Sequence, residues 1–149
     1  MMQNENIGVS GKIHILVEEK GKQPIEWEQN NLIVNNGTVL MLNGLAGISP
    51  GPQITNFAFG TSSTAVNKTQ NSLGAQVFSD LIDSANIATV NNIEIKYYLT
   101  GSSANGNTLR EVGLFCGVDM FARSVLANSI VKTSLVTATF TWTITITQA

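Results

Sequence analysis

Apolar and polar residues alternate along most of this chain with a period of two, the period of a strand whose two faces meet different surroundings. The C-terminus carries the pattern most cleanly. Ala138, Phe140, Trp142, Ile144 and Ile146 share one face, while Thr137, Thr139, Thr141, Thr143, Thr145 and Thr147 share the other. Near the N-terminus Ile13, Ile15 and Val17 alternate with Lys12, His14, Leu16 and Glu18. Gly21 and Pro24 then supply turn chemistry, and Ile25 to Gln29 returns as an antiparallel strand carrying Trp27. Residues 1–30 therefore read as an N-terminal arm and hairpin, separable from the rest and available for attachment.

The strand period fails once. From Asn36 to Ala46, Val39, Leu42 and Leu45 or Ala46 fall at helical spacing, with Asn35 or Asn36 as the cap and Gly44 or Gly47 as the stop. One short helix is expected there, with Val39, Leu42 and Leu45 or Ala46 as its apolar stripe. Further strands are expected at Ile54 to Gly60, Gln76 to Asp83, Asn86 to Val90, Ile93 to Thr100, Leu109 to Cys116 and Met120 to Leu126. Thr61 to Gly74 and Gly101 to Asn107 read as polar loops, and Asn91-Asn92 as a hairpin turn. Eight or nine strands with one helical insert argue a mainly all-β chain, an antiparallel β-sandwich for which a jelly roll is one topology. Residues 1–149 suit one domain with a single core.

Charge narrows the functions open to such a fold. Only 12% of residues are charged, about half the share usual in soluble domains. The eight Lys and Arg are scattered and the formal net charge is -2, which argues against a nucleic-acid partner. The N-terminus has no signal-peptide pattern, and the threonines interrupt the one long apolar stretch, so no membrane partner is expected.

Candidate chemistry is sparse. Gly101 to Thr108 has the spacing of a phosphate-binding loop, but Asn107 stands where the lysine must be, so an ordinary β-loop is expected. Cys116 and His14 are the one conceivable nucleophile–base pair, yet Cys116 follows Leu114 and Phe115 in an apolar strand and reads as an inert core thiol. Glu18, Glu19, Glu26 and Glu28 gather at the hairpin with Lys20 and Lys22 as a solvated rim. Asp80 and Asp83 are three apart in a predicted strand and so point to opposite faces, unlike a glycosidase pair. The loops offer amides instead of clustered carboxylates, so no calcium or other cofactor is expected. Asn36-Gly37-Thr38 and Asn67-Lys68-Thr69 match the glycosylation pattern, as chance produces in so Asn-rich a chain.

The threonine face fits three readings: a wet face with high β-propensity, a surface that orders water, or a face that meets another subunit. Were the strand an edge, its length would invite aggregation unless covered.

Several short blocks together resemble a group of small tailed-phage virion proteins. They are Asn31-Leu32-Ile33-Val34-Asn35-Asn36-Gly37, Phe57-Ala58-Phe59-Gly60-Thr61, Leu73-Gly74-Ala75-Gln76-Val77, Leu109-Arg110-Glu111-Val112-Gly113-Leu114-Phe115, Phe121-Ala122-Arg123, Lys132-Thr133, and Thr139 to Thr145. The resemblance spans residues 30–147 and does not extend to the hairpin. It implies a non-enzymatic virion structural protein, made in the host cytoplasm and carried on the particle exterior. A capsid decoration or cement protein, a homo-dimer or homo-trimer bound to the major capsid protein, is the favoured form. A tail-fibre or baseplate accessory, contacting a tail protein or binding a host polysaccharide through Trp27, Tyr97 or Tyr98, is the alternative. The candidate interface residues are Ile13, Ile15, Trp27, Thr139, Thr141, Thr143 and Thr145, with the loops Thr61 to Ser72 and Gly101 to Asn107.

Overall fold

The computed structural model describes residues 6–148. In chain order they form β1 (Ile7–Glu19), β2 (Ile25–Asn30), β3 (Leu32–Ile33), α1 (Asn35–Ala46), β4 (Asn56–Gly60), β5 (Gln76–Leu81), β6 (Ser84–Thr89), β7 (Asn92–Leu99), β8 (Thr108–Cys116), β9 (Asp119–Val131) and β10 (Val136–Gln148). Two five-stranded antiparallel sheets, β2-β1-β10-β7-β6 and β3-β9-β8-β4-β5, face each other as a β-sandwich. Each hairpin stays within one sheet, unlike the eight-stranded double Greek key of a jelly roll.

The alternating strands meet in the core. Ile13, Ile15, Ile95, Tyr97, Phe140 and Trp142 from the first sheet pack on Phe57, Phe59, Val112 and Leu114 from the second. Phe57 lies at the centre of an aromatic cluster, stacked on Tyr97 at 5.4 Å and edge-on to Trp142 at 5.5 Å.

Several expectations change with tertiary context. β10 is the central strand of its sheet, not an edge, and β1 pairs with it from Ile7↔Gln148 to Glu19↔Val136. The N-terminal hairpin is therefore no appendage. Removing residues 1–30 would strip two of five strands and uncover Phe140 and Trp142. Residues 1–5 of the expected arm lie outside the described residues. β9 runs on to Val131, and the β6–β7 turn falls at Val90-Asn91, one residue earlier than expected.

The helix forms where expected, and its aliphatic residues face outward. Gly37 and Leu40 are buried, whereas Val39, Leu42 and Leu45 are exposed. The reason is close approach: a Cβ on Gly37 would lie 2.3 Å from the Phe121 backbone oxygen, and one on Gly44 would lie 2.8 Å from Pro52 Cδ. Gly37 permits the close approach to β9, and with Gly37 and Leu40 turned inward the aliphatic residues Val39, Leu42 and Leu45 face outward. Neither Asn35 nor Asn36 caps the helix. Val34 is the cap residue, and the Asn36 amide donates to the Met120 carbonyl oxygen of β9 instead. Gly47, left-handed at φ 68°, ends the helix, and Ile48 N–H returns to Asn43 O at 2.9 Å.

Candidate interaction surface

The polar groups that sequence reading set aside for contact are mostly consumed inside the molecule. The segment between β4 and β5 lies over the outer face of the second sheet. Glu111, fully buried on β8, accepts backbone N–H groups from Ser62 (3.0 Å), Gly74 (2.7 Å) and Ala75 (2.8 Å). Arg123, equally buried on β9, donates to Glu111 Oε1 at 3.0 Å, to Thr64 O at 2.8 Å and to Gln70 Oε1 at 3.2 Å. Leu73 then closes over Gly113, where a Cβ would come within 3.0 Å of its Cδ2. The loop Thr61 to Ser72 is thus a third layer held by a buried ion pair.

Gly101 to Asn107 is held in a similar way. Lys132 is 1% exposed; its Nζ donates to Asn105 Oδ1 (2.8 Å) and Thr133 O (2.9 Å), while its backbone pairs with Gly106 and Asn107. Burial lowers the Lys132 pKa. The phosphate-loop spacing ends in an antiparallel strand, and Lys132 joins two sheet-to-sheet crossovers.

Sequence reading missed Glu111, Arg123 and Lys132. The available signal was position: three charges inside or beside apolar strands of a chain so poor in charge. A buried charge must find a partner.

The remaining candidates separate. Ile13 and Ile15 are fully buried between the sheets, so they are core residues and present nothing to a partner. Trp27 turns inward, packs on the core and donates Nε1 to Gln29 Oε1 at 2.8 Å. Tyr97 is buried against Phe57 and donates to Asp80 at 3.0 Å; burial, then that carboxylate, push its phenol pKa up. Asp83 lies outside the strand and accepts Tyr98 N–H at 2.6 Å. Of the three aromatics considered for a glycan, only Tyr98 is exposed.

Cys116 is buried, and burial, with Asp119, pushes its thiol up to about 11. His14 belongs to the opposite sheet and bonds Glu26. Among the described residues, no group of three His, Cys, Asp or Glu side chains could hold a metal ion.

Thr139, Thr141, Thr143 and Thr145 do lie together on the open face of the first sheet, half-buried in a line. They are not a neutral field. Lys12 and Glu94 flank Thr143, and His14 and Lys96 flank Thr141. The neutral stripe is one strand wide.

What stands out at the surface is aliphatic. Val39, Leu42 and Leu45 (88% exposed) lie on α1 and Ile48 follows it; Leu81, Ile87 (82%), Val90 and Ile146 are exposed as well. Between α1 and the β5–β6 side opens a cleft of about 550 Å³ walled by Met41, Ile54, Leu81, Ile82, Ile93 and Ile144. A smaller cleft of about 280 Å³, beside Ile87 and Val90, shares Ile93 and Ile144 with it. Among the described residues no charged side chain lines either cleft. Such an arrangement is suited to burying apolar surface of another molecule. No protein-family model, curated protein or solved structure matches this chain.

Proposed function

We propose that this chain is a non-enzymatic structural protein of a tailed-phage virion, a decoration or cement protein that docks on the major capsid protein at the particle exterior. The particle is suggested by the sequence blocks that resemble small virion proteins. The docking role is supported by one observation above others: α1 turns Val39, Leu42 and Leu45 to solvent, continued by Ile48. A row of this kind costs solubility in a free monomer and becomes stabilising once a partner covers it. Many copies on a symmetric shell, each with a modest apolar contact, would hold by avidity.

The docking surface in this reading is the exposed α1 face, in place of the N-terminal hairpin and the loops. The tail-fibre alternative loses support from the inward turn of Trp27 and Tyr97.

Quantifying the chain in purified virions tests the reading. A copy number comparable with that of the major capsid protein is expected; a handful of copies would place the chain at a tail tip and overturn the capsid assignment. Leu45→Glu, at an exposed position, should leave the fold intact and lower occupancy on heads. Undiminished occupancy would remove α1 as the docking element.

A further inference from the structure

The two sheets leave four strand edges, and their chemistry differs. β3 is only two residues long. β2 carries Glu26 and Glu28 on its outward face, paired with His14 and Lys12. β5 carries Asp80. β6, Ser84-Ala85-Asn86-Ile87-Ala88-Thr89, has no charge and no proline, and five of its six residues are exposed. Proteins usually guard an open edge with charge, proline or a covering segment. Among the described residues the only such device on β6 is a bulge between Ile87 and Thr89, which leaves Ser84 to Ile87 straight.

We propose that β6 pairs antiparallel with β6 of a second copy of this chain, so that the β2-β1-β10-β7-β6 sheet continues across a two-fold axis.

The choice of a second copy rests on charge. A two-fold axis perpendicular to a sheet keeps each face on its own side, so paired residues must point the same way and the axis must pass through a residue pair. Centred on Asn86, the pairing sets Asn86 against its own copy, where two primary amides can bond to each other. It also sets Ala85 against the partner's Ile87 and Ser84 against the partner's Ala88. No like charges meet. The same operation on β2 fails, because either register that pairs five residues there places Glu26 opposite the partner's Glu28, or Glu28 opposite itself. The apolar side fits as well. Ala85 lines the larger cleft, and the small Ala85 leaves room for the partner's Ile87, which is 82% exposed in the single chain. The pairing covers an exposed aliphatic and satisfies an open edge in one step.

The inference stands apart from the virion reading: a monomeric chain that still fills capsid sites would overturn the pairing and leave that reading in place. The test is sedimentation of the full chain over a concentration series. A reversible monomer–dimer equilibrium is expected for the wild type. Asn86→Lys, which sets two ammonium groups face to face at an exposed site, should weaken it by about tenfold or more without changing the circular dichroism. Asn86→Cys should give a disulfide-linked dimer on mild oxidation, since residues opposed across an antiparallel pair lie within disulfide reach. Glu28→Cys on the β2 edge should not. A chain that is monomeric throughout, a trimer, a dimer indifferent to Asn86→Lys, or failure of Asn86→Cys to cross-link would each overturn the proposal.

Discussion

Gln29 Oε1, on edge strand β2 of one sheet, accepts the Ala127 N–H of β9 in the other sheet at 2.8 Å. The same side chain accepts Trp27 Nε1–H at 2.8 Å and donates to Ser124 Oγ at 2.6 Å and Val125 O at 2.8 Å. Every hydrogen-bonding site of the amide is used, and one side of the sandwich is closed by it.

Gln29→Ala should destabilise the fold by about 1–3 kcal/mol, because it leaves the Trp27 and Val125 groups unpaired. Gln29→Glu replaces two donors with an acceptor that faces the Val125 oxygen. Its loss should be larger near pH 7 than at about pH 4, where a protonated carboxyl can again donate. Urea midpoints at the two pH values check both; equal losses at both would show that the amide donors do not matter.

The Glu111–Arg123 pair should be far more sensitive to single than to paired substitution. Glu111→Gln leaves a buried guanidinium without its counter-charge and is expected to cost about 3–5 kcal/mol. The cost should register first as increased hydrogen exchange in residues 61–75, whose amides the carboxylate holds. Glu111→Gln with Arg123→Met should recover part of the stability. An additive double-variant loss would argue that the two side chains act independently.

Gly37→Ala tests the close approach of α1. Its Cβ would meet the Phe121 backbone oxygen at 2.3 Å, so the helix must move off β9, at a cost of about 1–3 kcal/mol in thermal or urea unfolding. Gly8→Ala, where the added carbon meets nothing within 4 Å, is the control and should be close to neutral.

Alkaline stability should fall between pH 9 and pH 11 in part because of Cys116, whose thiol is pushed up to about 11. The unfolded chain loses that proton first, so the unfolded state is favoured as pH rises through this window. Tyr97, also raised, adds in the same direction above pH 10. Lys132, lowered by burial, acts oppositely: the unfolded chain holds the extra proton, so stability rises with pH until about 10.5. Comparing unfolding of the wild type and Cys116→Ala across this range isolates the thiol, and identical slopes would refute its share. Thiol reagents should label native Cys116 slowly and the unfolded chain rapidly at the same pH.

Strands that alternate in sequence were legible because their signal is local: Ile13 and Ile15, or Phe140 and Trp142, declare one buried face whatever lies opposite. The N-terminal hairpin was legible through Gly21 and Pro24, and the helix stop through Gly47. The candidate site was much less so. Ile13, Ile15 and Trp27 were apolar enough to suggest an interface, but apolarity does not distinguish an inward face from an outward one. Val39, Leu42 and Leu45 fall at helical spacing, which does not tell which face is buried, and in the structure they are exposed.

By itself, then, the amino-acid order determined an all-β chain with one short helix and where most turns fall. Those follow from period and turn residues, which need no knowledge of neighbours. Only the tertiary structure decided that β10 sits in the middle of its sheet with β1 paired along it, that Glu111 and Arg123 meet under the loop they secure, and that α1 shows its aliphatic face to solvent. Each depends on which segments come together across long stretches of chain. At α1 the inward face is the one that carries Gly37, whose lack of a side chain lets the helix lie close to the Phe121 oxygen of β9.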